Sequence, residues 1–350
     1  MTGETDFVRR IGIAHPIIQA PMVGPKAPLA AAVSGAGGLG SLACAALTPD
    51  QIRAEVAAIR AVTEAPFNLN FFCHEPPAPD PAREAAWRAA LAPYYAAFGL
   101  DPTAPVAMAN RAPFDAAMAE VVEELHPAVV SFHFGLPAEP LLRRVQDAGC
   151  LIWSSATTVR EARWLAERGV DAVIAQGAEA GGHRGMFLAD AAASQVGTIA
   201  LVPQIADAVD VPVIAAGGIG DPRGVAAAFA LGASAVQVGT AYLRCPEADI
   251  SAPYRAALAA ARDEDTVLTN VLTGRPARGL LTRAVRELGP ISPLAPAFPG
   301  AAVALQPLRT AAEAADSGDF SPLWSGQAVG LSRERPAAEL TRVLASGSPQ

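Results

Sequence analysis

Hydrophobic and polar positions alternate most cleanly in FNLNFF, where Phe67, Leu69 and Phe71 fall on one face of an extended strand and Asn68 and Asn70 on the other. Short apolar runs of similar length recur at Pro16–Ala20, after the glycines of Gly35–Ser41, and at Ala128–Phe134, Leu151–Ser154, Ala172–Gln176, Val213–Ala216 and Ala235–Val238. Between them the pattern turns helical: Leu29–Ser34, Thr48 to about Val62, Arg83–Phe98, Phe114–Leu125, Glu139–Ala148, Thr158 to Arg168, near Val196–Val209, and Pro222 to Gly232. Two of these helices open on capping boxes, Thr48-Pro49-Asp50-Gln51 and Thr158-Val159-Arg160-Glu161. Strands joined through helices must lie parallel to their neighbours. Eight strands in this rhythm predict an α/β fold, a (β/α)8 TIM barrel, with a doubly wound open sheet as the second choice.

Past Tyr242 the rhythm is lost. Glu247–Leu288 reads as helical with breaks, Gly289–Gly300 is rich in proline, and Ala301–Ala315 and Pro336–Ala345 are helical again. The expected organisation is a barrel over 1–242, with 73–105 inserted toward a mostly helical lobe over 243–345 that covers the barrel mouth.

Composition narrows the field. A chain of 350 residues, 51% apolar and 17% charged, can bury a large core, and its net charge of −8 argues against a nucleic-acid partner. No stretch of about 18 residues is free of Gly, Pro and charge, so no membrane span is expected, and the N-terminus lacks the apolar core of a signal peptide. Cys44, Cys73, Cys150 and Cys245 are scattered without a CxxC pair, which favours reduced thiols and a cytoplasmic location over disulfides or zinc.

Candidate chemistry gathers at the strand ends. In VPVIAAGGIGDPRGVAAAFALGASAVQVGTAY two adjacent strands end in glycine, at Gly217, Gly218 and Gly220 and at Gly239. Bare N–H groups there, beside a helix capped by Asp221 and opened by Pro222, form a cradle for a dianionic phosphate. Gln237, Val238, Gly239 and Thr240 complete it, in the usual phosphate position of this fold. Asn70 and Gln176 end inward faces and offer amides to a ring with a mixed polar edge, while Gly181, Gly182 and Gly185 allow close backbone approach. His133 lies inward between aromatic neighbours, where burial would keep it neutral and able to accept a proton. Met22 follows the first strand. Glu179 and His183 lack a third ligand, so no metal is expected. A barrel that holds one phosphate and one polar-edged ring suits flavin mononucleotide, FMN.

QAPM at Gln19–Met22, AAVSGAGGLGS at Ala31–Ser41, FNLNFF, SFHFGLP at Ser131–Pro137, AQGAEAGGHRG at Ala175–Gly185, AAGGIGD at Ala215–Asp221 and QVGTAYL at Gln237–Leu243 together resemble nitronate monooxygenases, formerly 2-nitropropane dioxygenases. The resemblance runs from about residue 10 to TGRPARG at Thr273–Gly279, and weakly through GDFSPLWSGQA at Gly318–Ala328. It implies FMN as cofactor, O2 as co-substrate, and oxidation of alkyl nitronates to a carbonyl compound and nitrite, with propionate 3-nitronate as the leading substrate and detoxification as the role. Carried over by motif, it implies FMN contacts at Met22, Asn70, Gln176, Gly181, Gly218 and Gln237–Thr240, and a catalytic His133. In the lobe it offers Phe298 and Arg309 as groups above the flavin. The competing readings are an NAD(P)H-dependent quinone or enoyl reductase on the same flavin barrel, and a non-redox barrel that binds a phosphorylated ligand. Either a monomer or a homodimer is compatible with the sequence.

Overall fold

The computed structural model describes residues 2–22, 24, 26–106, 111–188 and 194–349, with side chains from Phe7 onward. Its strands are β1 (Ile17–Gln19), β2 (Gly40–Ala43), β3 (Phe67–Phe72), β4 (Val129–His133), β5 (Leu151–Ala156), β6 (Ala172–Gln176), β7 (Gly182–His183), β8 (Val213–Ala216), β9 (Ala235–Val238), β10 (Thr266–Thr269) and β11 (Ala277–Leu280). Eight of them form one parallel sheet in the order β1-β9-β8-β6-β5-β4-β3-β2. The parallel bridge Ile18↔Leu39 joins its two ends. The result is the expected (β/α)8 barrel.

Alternation decides what each strand buries. Phe67, Leu69 and Phe71 face outward into the layer between sheet and helices, together with Val130 and Phe132 of β4. A separate cluster contains Ile18, Trp153, Ile174 and Ile214 from four different strands, which places it inside the barrel. Phe7, Ile11 and Ile13 join this inner cluster, and Phe7 stacks on Trp153 at 5.6 Å. They belong to a helix, Thr2–Ile11, and the turn after it, an element the sequence reading did not include. Its apolar positions four apart gave the signal, and it closes the end of the barrel opposite the cavity.

The Thr48 capping box forms as expected, whereas the Thr158 box forms only in half, because the Glu161 carboxylate accepts from Thr157 N and not from the cap's own amide. The Thr48 side chain accepts from Gln51 N, with Gln51 returning to the Thr48 backbone, and Thr158 accepts from Glu161 N. At the helix Pro222–Ala230, Asp221 accepts from the Arg223 and Gly224 amides.

The region after Tyr242 differs from a run of broken helix. After the helix Ala252–Ala260 the chain forms β10 and β11, which pair antiparallel, and β11 pairs in turn with β7 from the loop after β6. The alternating TVLT of β10 carried this signal, but its partner lies in a distant two-residue strand. The helices Pro81–Ala97 and Gly300–Ala314 share a second core of Trp87, Leu91 and Tyr95 with Ala301, Ala304, Leu305 and Leu308. Trp87 Nε1 donates to Ala301 O at 3.1 Å and Tyr95 OH to Ala304 O at 2.6 Å. The last helix, Ala337–Ala345, packs instead against the helices Ala27–Gly35 and Pro222–Ala230 and against β1. Thr341 and the Tyr242 hydroxyl hydrogen-bond at 2.9 Å. The chain end thus supplies the outer helix that follows the last barrel strand. Among the described residues no helix is long and apolar enough to cross a membrane.

Candidate active site

The carboxyl ends of the barrel strands open into a cavity with about 1270 Å³ of empty space, mouth included. Lobe residues Tyr254, Trp324, Gly326 and Ala328 form part of its wall. Met22, Asn70, His133, Gln176, Gly181, Gly218, Gln237, Gly239 and Thr240 all line it. Val238 does not, because strand alternation turns its side chain outward into the core, and its carbonyl accepts from Ala20 N at 2.8 Å. Arg309 also stays away, paired with Glu313 on its own helix at 2.8 Å.

The ends of β8 and β9 carry the glycine frame. Gly217 and Gly218 have φ of +115° and +72°, a region that favours glycine. Among the described residues, no protein acceptor takes the amides of Gly218, Gly239 or Thr240. The Thr240 hydroxyl, in contrast, accepts from Gly326 N at 2.9 Å and so ties the lobe to the barrel. Gln237 Oε1 is buried without a partner. A buried carbonyl oxygen left unpaired costs about 1–3 kcal/mol unless a ligand donor meets it. Unpaired donors at two neighbouring strand ends, together with this acceptor, fit a ligand carrying one anionic group and a polar-edged ring. The Asn70 amide nitrogen donates to the Ser131 hydroxyl and carbonyl at 3.0 and 3.1 Å, leaving its oxygen for the cavity.

Two residues read from sequence as ligand contacts do structural work at the wall. Gln176 donates to His183 O at 2.9 Å and accepts from Gly185 N at 2.7 Å, which fixes the loop after β6. A Cβ on Gly181 would come within 2.6 Å of Gly326 N and 2.7 Å of Ser325 C, so this glycine makes room for the lobe backbone. Gly185 similarly clears the His133 ring, since a Cβ there would lie 2.9 Å from His133 Cε1. Buried Arg184 and Glu161 complete the scaffold. Arg184 donates to the Gly177 and Gln176 carbonyls at 2.5 and 2.7 Å. Glu161 accepts from Thr157 N and Oγ1 and from Phe187 N, each at 2.7 Å, and from Leu188 N at 3.0 Å.

His133 is held at both ring nitrogens. Nε2 lies 3.1 Å from the His183 carbonyl, which can only accept, so Nε2 carries the proton. Nδ1 then accepts from the Ser155 hydroxyl at 3.0 Å. Burial presses its pKa down to about 4 against the opposing effect of the His183 carbonyl, with smaller contributions from the positive charges of Arg275 and Arg184. The ring is therefore neutral at neutral pH. Phe134, next in sequence, has φ of +70°, uncommon for a bulky side chain and a form of strain that gathers at functional sites.

Sequence reasoning took two further histidines as packing groups or as an incomplete metal site. Among the described residues no cluster of three or more potential metal ligands exists. His183 lines the cavity instead, and behind it His74 and Phe298 pack together, the Phe298 ring lying 4.8 Å from His74 and 5.2 Å from His183. Burial, Arg275 and Arg111 lower the His74 pKa to about 4, and burial and Arg111 hold His183 well below the usual range. The Arg275 guanidinium covers the Phe134 ring at 3.9 Å. Arg111, which lines the cavity, has no hydrogen bond or ion pair among the described residues. It lies in a stretch without periodicity, so no local pattern marked it.

A parallel barrel whose glycine-framed, lobe-covered mouth faces a neutral, tethered histidine defines an enzyme of the ligand-enclosing (β/α)8 class. A profile of the nitronate monooxygenase family matches residues 5–347, and the chain belongs to that family. It is 47% identical over 343 residues to a nitronate monooxygenase of Pseudomonas aeruginosa, covering 97% of both chains. With a nitronate monooxygenase of Paraburkholderia phytofirmans it shares 44% identity over 347 residues, 98% of this chain and 94% of the relative. The crystal structure of a nitroalkane oxidase from Streptomyces ansochromogenes superimposes with a TM-score of 0.89 at 38% identity, over 97% of each chain.

Proposed function

We propose that this enzyme oxidises small alkyl nitronates with O2 to a carbonyl compound and nitrite, using FMN, and that propionate 3-nitronate is among its substrates. The observation that carries this reading is the pairing, in one cavity, of unpaired donors at the ends of β8 and β9 with the neutral His133 across the mouth. Gly218, Gly239 and Thr240 would hold the phosphate through their amides, and Gln237 and Asn70 the polar edge of the ring. FMN, when bound, supplies the electron acceptor that O2 restores. Met22 and Trp324 would border the same space. Four free thiols suit a cytoplasmic setting.

The protein's own part is to enclose an anion and to manage one proton. A nitronate is already deprotonated, so for it the site has only to orient the anion in a cavity screened from water by the lobe. A neutral nitroalkane must first lose a carbon-bound proton. His133 is uncharged and can take it, but its free lone pair at Nδ1 is covered by Ser155. Since Ser155 itself lines the cavity, the proton route runs through its hydroxyl to Nδ1.

The test is anaerobic mixing of the purified yellow protein with propionate 3-nitronate or with NADPH, followed by flavin absorbance. Reduction by the nitronate, inertness to NADPH and nitrite release on admitting oxygen support the reading. Rapid bleaching by NADPH with no response to nitronate overturns it in favour of a reductase. A colourless protein that takes up no flavin leaves only a non-redox binding barrel.

A further inference from the structure

Among the described residues nothing answers the charge that Arg111 presents to the cavity. The hydrogen bond from Phe114 N to Phe72 O, at 2.8 Å, fixes its segment at the carboxyl end of β3. In the sheet order, β3 is separated from β8 by β4, β5 and β6 on one side and by β2, β1 and β9 on the other. Arg111 therefore stands across the barrel from the glycine frame and is not placed to hold a phosphate there. The two carboxylates nearest the loop after β6 are already engaged. Glu179 accepts from the Thr198 amide and hydroxyl at 2.9 and 2.8 Å, and Glu161 takes its four bonds around Thr157 and Phe187. The groups whose charge Arg111 influences are His183 and His74, both of which it drives toward neutrality. Burial and the charge of Arg309 disfavour the Arg111 cation, and no carboxylate among the described residues acts in its favour.

A half-buried guanidinium with cationic and neutral neighbours is stable beside an anion that arrives with the ligand. We infer that Arg111 is a specificity-determining residue that binds a carboxylate carried on the substrate away from its reacting carbon. The inference rests on the nitronate reading above. The reacting end belongs beside Ser155 and His133 on β5 and β4, while Arg111 enters the same cavity from the connection after the neighbouring strand β3, so the two positions suit the two ends of one short molecule. The planar fork of arginine matches a carboxylate with two parallel hydrogen bonds, and one cation balances one carboxylate. The aromatic ring of Phe72, which lines the cavity, suits the short apolar linker between the two ends.

The experiment compares the flavin-loaded wild type with Arg111→Met and Arg111→Lys, measuring nitrite release from propionate 3-nitronate and from propyl 1-nitronate. The readout is the ratio of the two kcat/KM values, which a general defect of folding or loading leaves in place. Loss of charge-assisted hydrogen bonds should lower that ratio in Arg111→Met by about tenfold to a hundredfold, chiefly through KM for the carboxylated substrate. Arg111→Lys should retain most of the preference. An unchanged ratio in Arg111→Met overturns the assignment alone. Failure of the wild type to release nitrite from either compound overturns the nitronate reading and this inference with it.

Discussion

His133 should make the protein sensitive to acid in a way that can be isolated from every other group. Its pKa falls from an ordinary value of 6.5 to about 4 in the folded protein. Between those values the unfolded chain binds a proton that the folded chain refuses, so stability is complete above about 6.5 and is lost as the pH falls toward 4. Each pH unit within that interval amounts to about 1.36 kcal/mol, so going to pH 5 removes about 2 kcal/mol at this one site. For a chain of 350 residues, an unfolding entropy near 2.1 cal/mol/K per residue converts this into about 3 °C of melting temperature. His133→Asn puts its amide where Nδ1 stood, so it keeps an acceptor for Ser155, gives up the longer reach to the His183 carbonyl and cannot titrate. Melting temperatures of both proteins at pH 7.5, 6 and 5 should therefore converge, with the wild type losing about 3 °C more than the variant between pH 7.5 and 5. His74 remains in both proteins and cancels in the comparison, while His183, whose burial and the charge of Arg111 already keep it neutral, loses only the smaller influence of His133. Parallel pH slopes for the two proteins would refute the reasoning, because they would mean that His133 is protonated as readily folded as unfolded.

Gly181→Ala drives a methyl into the Ser325–Gly326 backbone and should lower stability by about 1–3 kcal/mol, seen as a lower melting temperature together with faster proteolysis of the 318–328 segment. Unaltered protease resistance in that segment would count against the contact. Glu161→Gln leaves one oxygen where two took four hydrogen bonds and sets an amide NH2 against backbone donors. The expected loss is about 2–3 kcal/mol in urea unfolding, with faster hydrogen exchange at the Phe187 and Leu188 amides. Unchanged exchange at those amides would remove Glu161 as the anchor of the loop.

Much of the barrel was readable because local alternation decides which way a strand side chain points. FNLNFF and AVIAQ gave their strands with the observed bounds, and the outward phenylalanines and inward asparagines follow from the period of two. The Thr48 and Thr158 caps were legible for the same reason: the donor, the acceptor and the spacing all lie within four residues. Pairings across long stretches of chain were not. Nothing near Gly182 announces that it will face Arg278 in a small antiparallel sheet, and nothing near Thr341 points back to Tyr242. Arg111 reaches the cavity from a stretch where no periodicity assigns a face, and His74 and Phe298 pack behind its wall from proline-rich ones.

The site is built from two halves of different origin. The glycine frame, Gln237 and Asn70 sit on or directly after barrel strands, where hydrogen bonding to neighbours fixes the backbone and leaves little freedom to drift. The rest of the wall includes Arg111, His183, Tyr254 and Trp324, which lie outside the barrel strands. His133 is the hinge between the two halves. It stands on a barrel strand, yet its ring is positioned by the His183 carbonyl and cleared by Gly185, both from the loop that β11 pins to the lobe. A substitution in the lobe can thus alter which anion is admitted while the frame stays intact, whereas displacement of β11 would reach the histidine itself. The rigid strand ends suit a ligand that stays bound through many turnovers, and the wall of connecting segments and lobe suits one that changes with each.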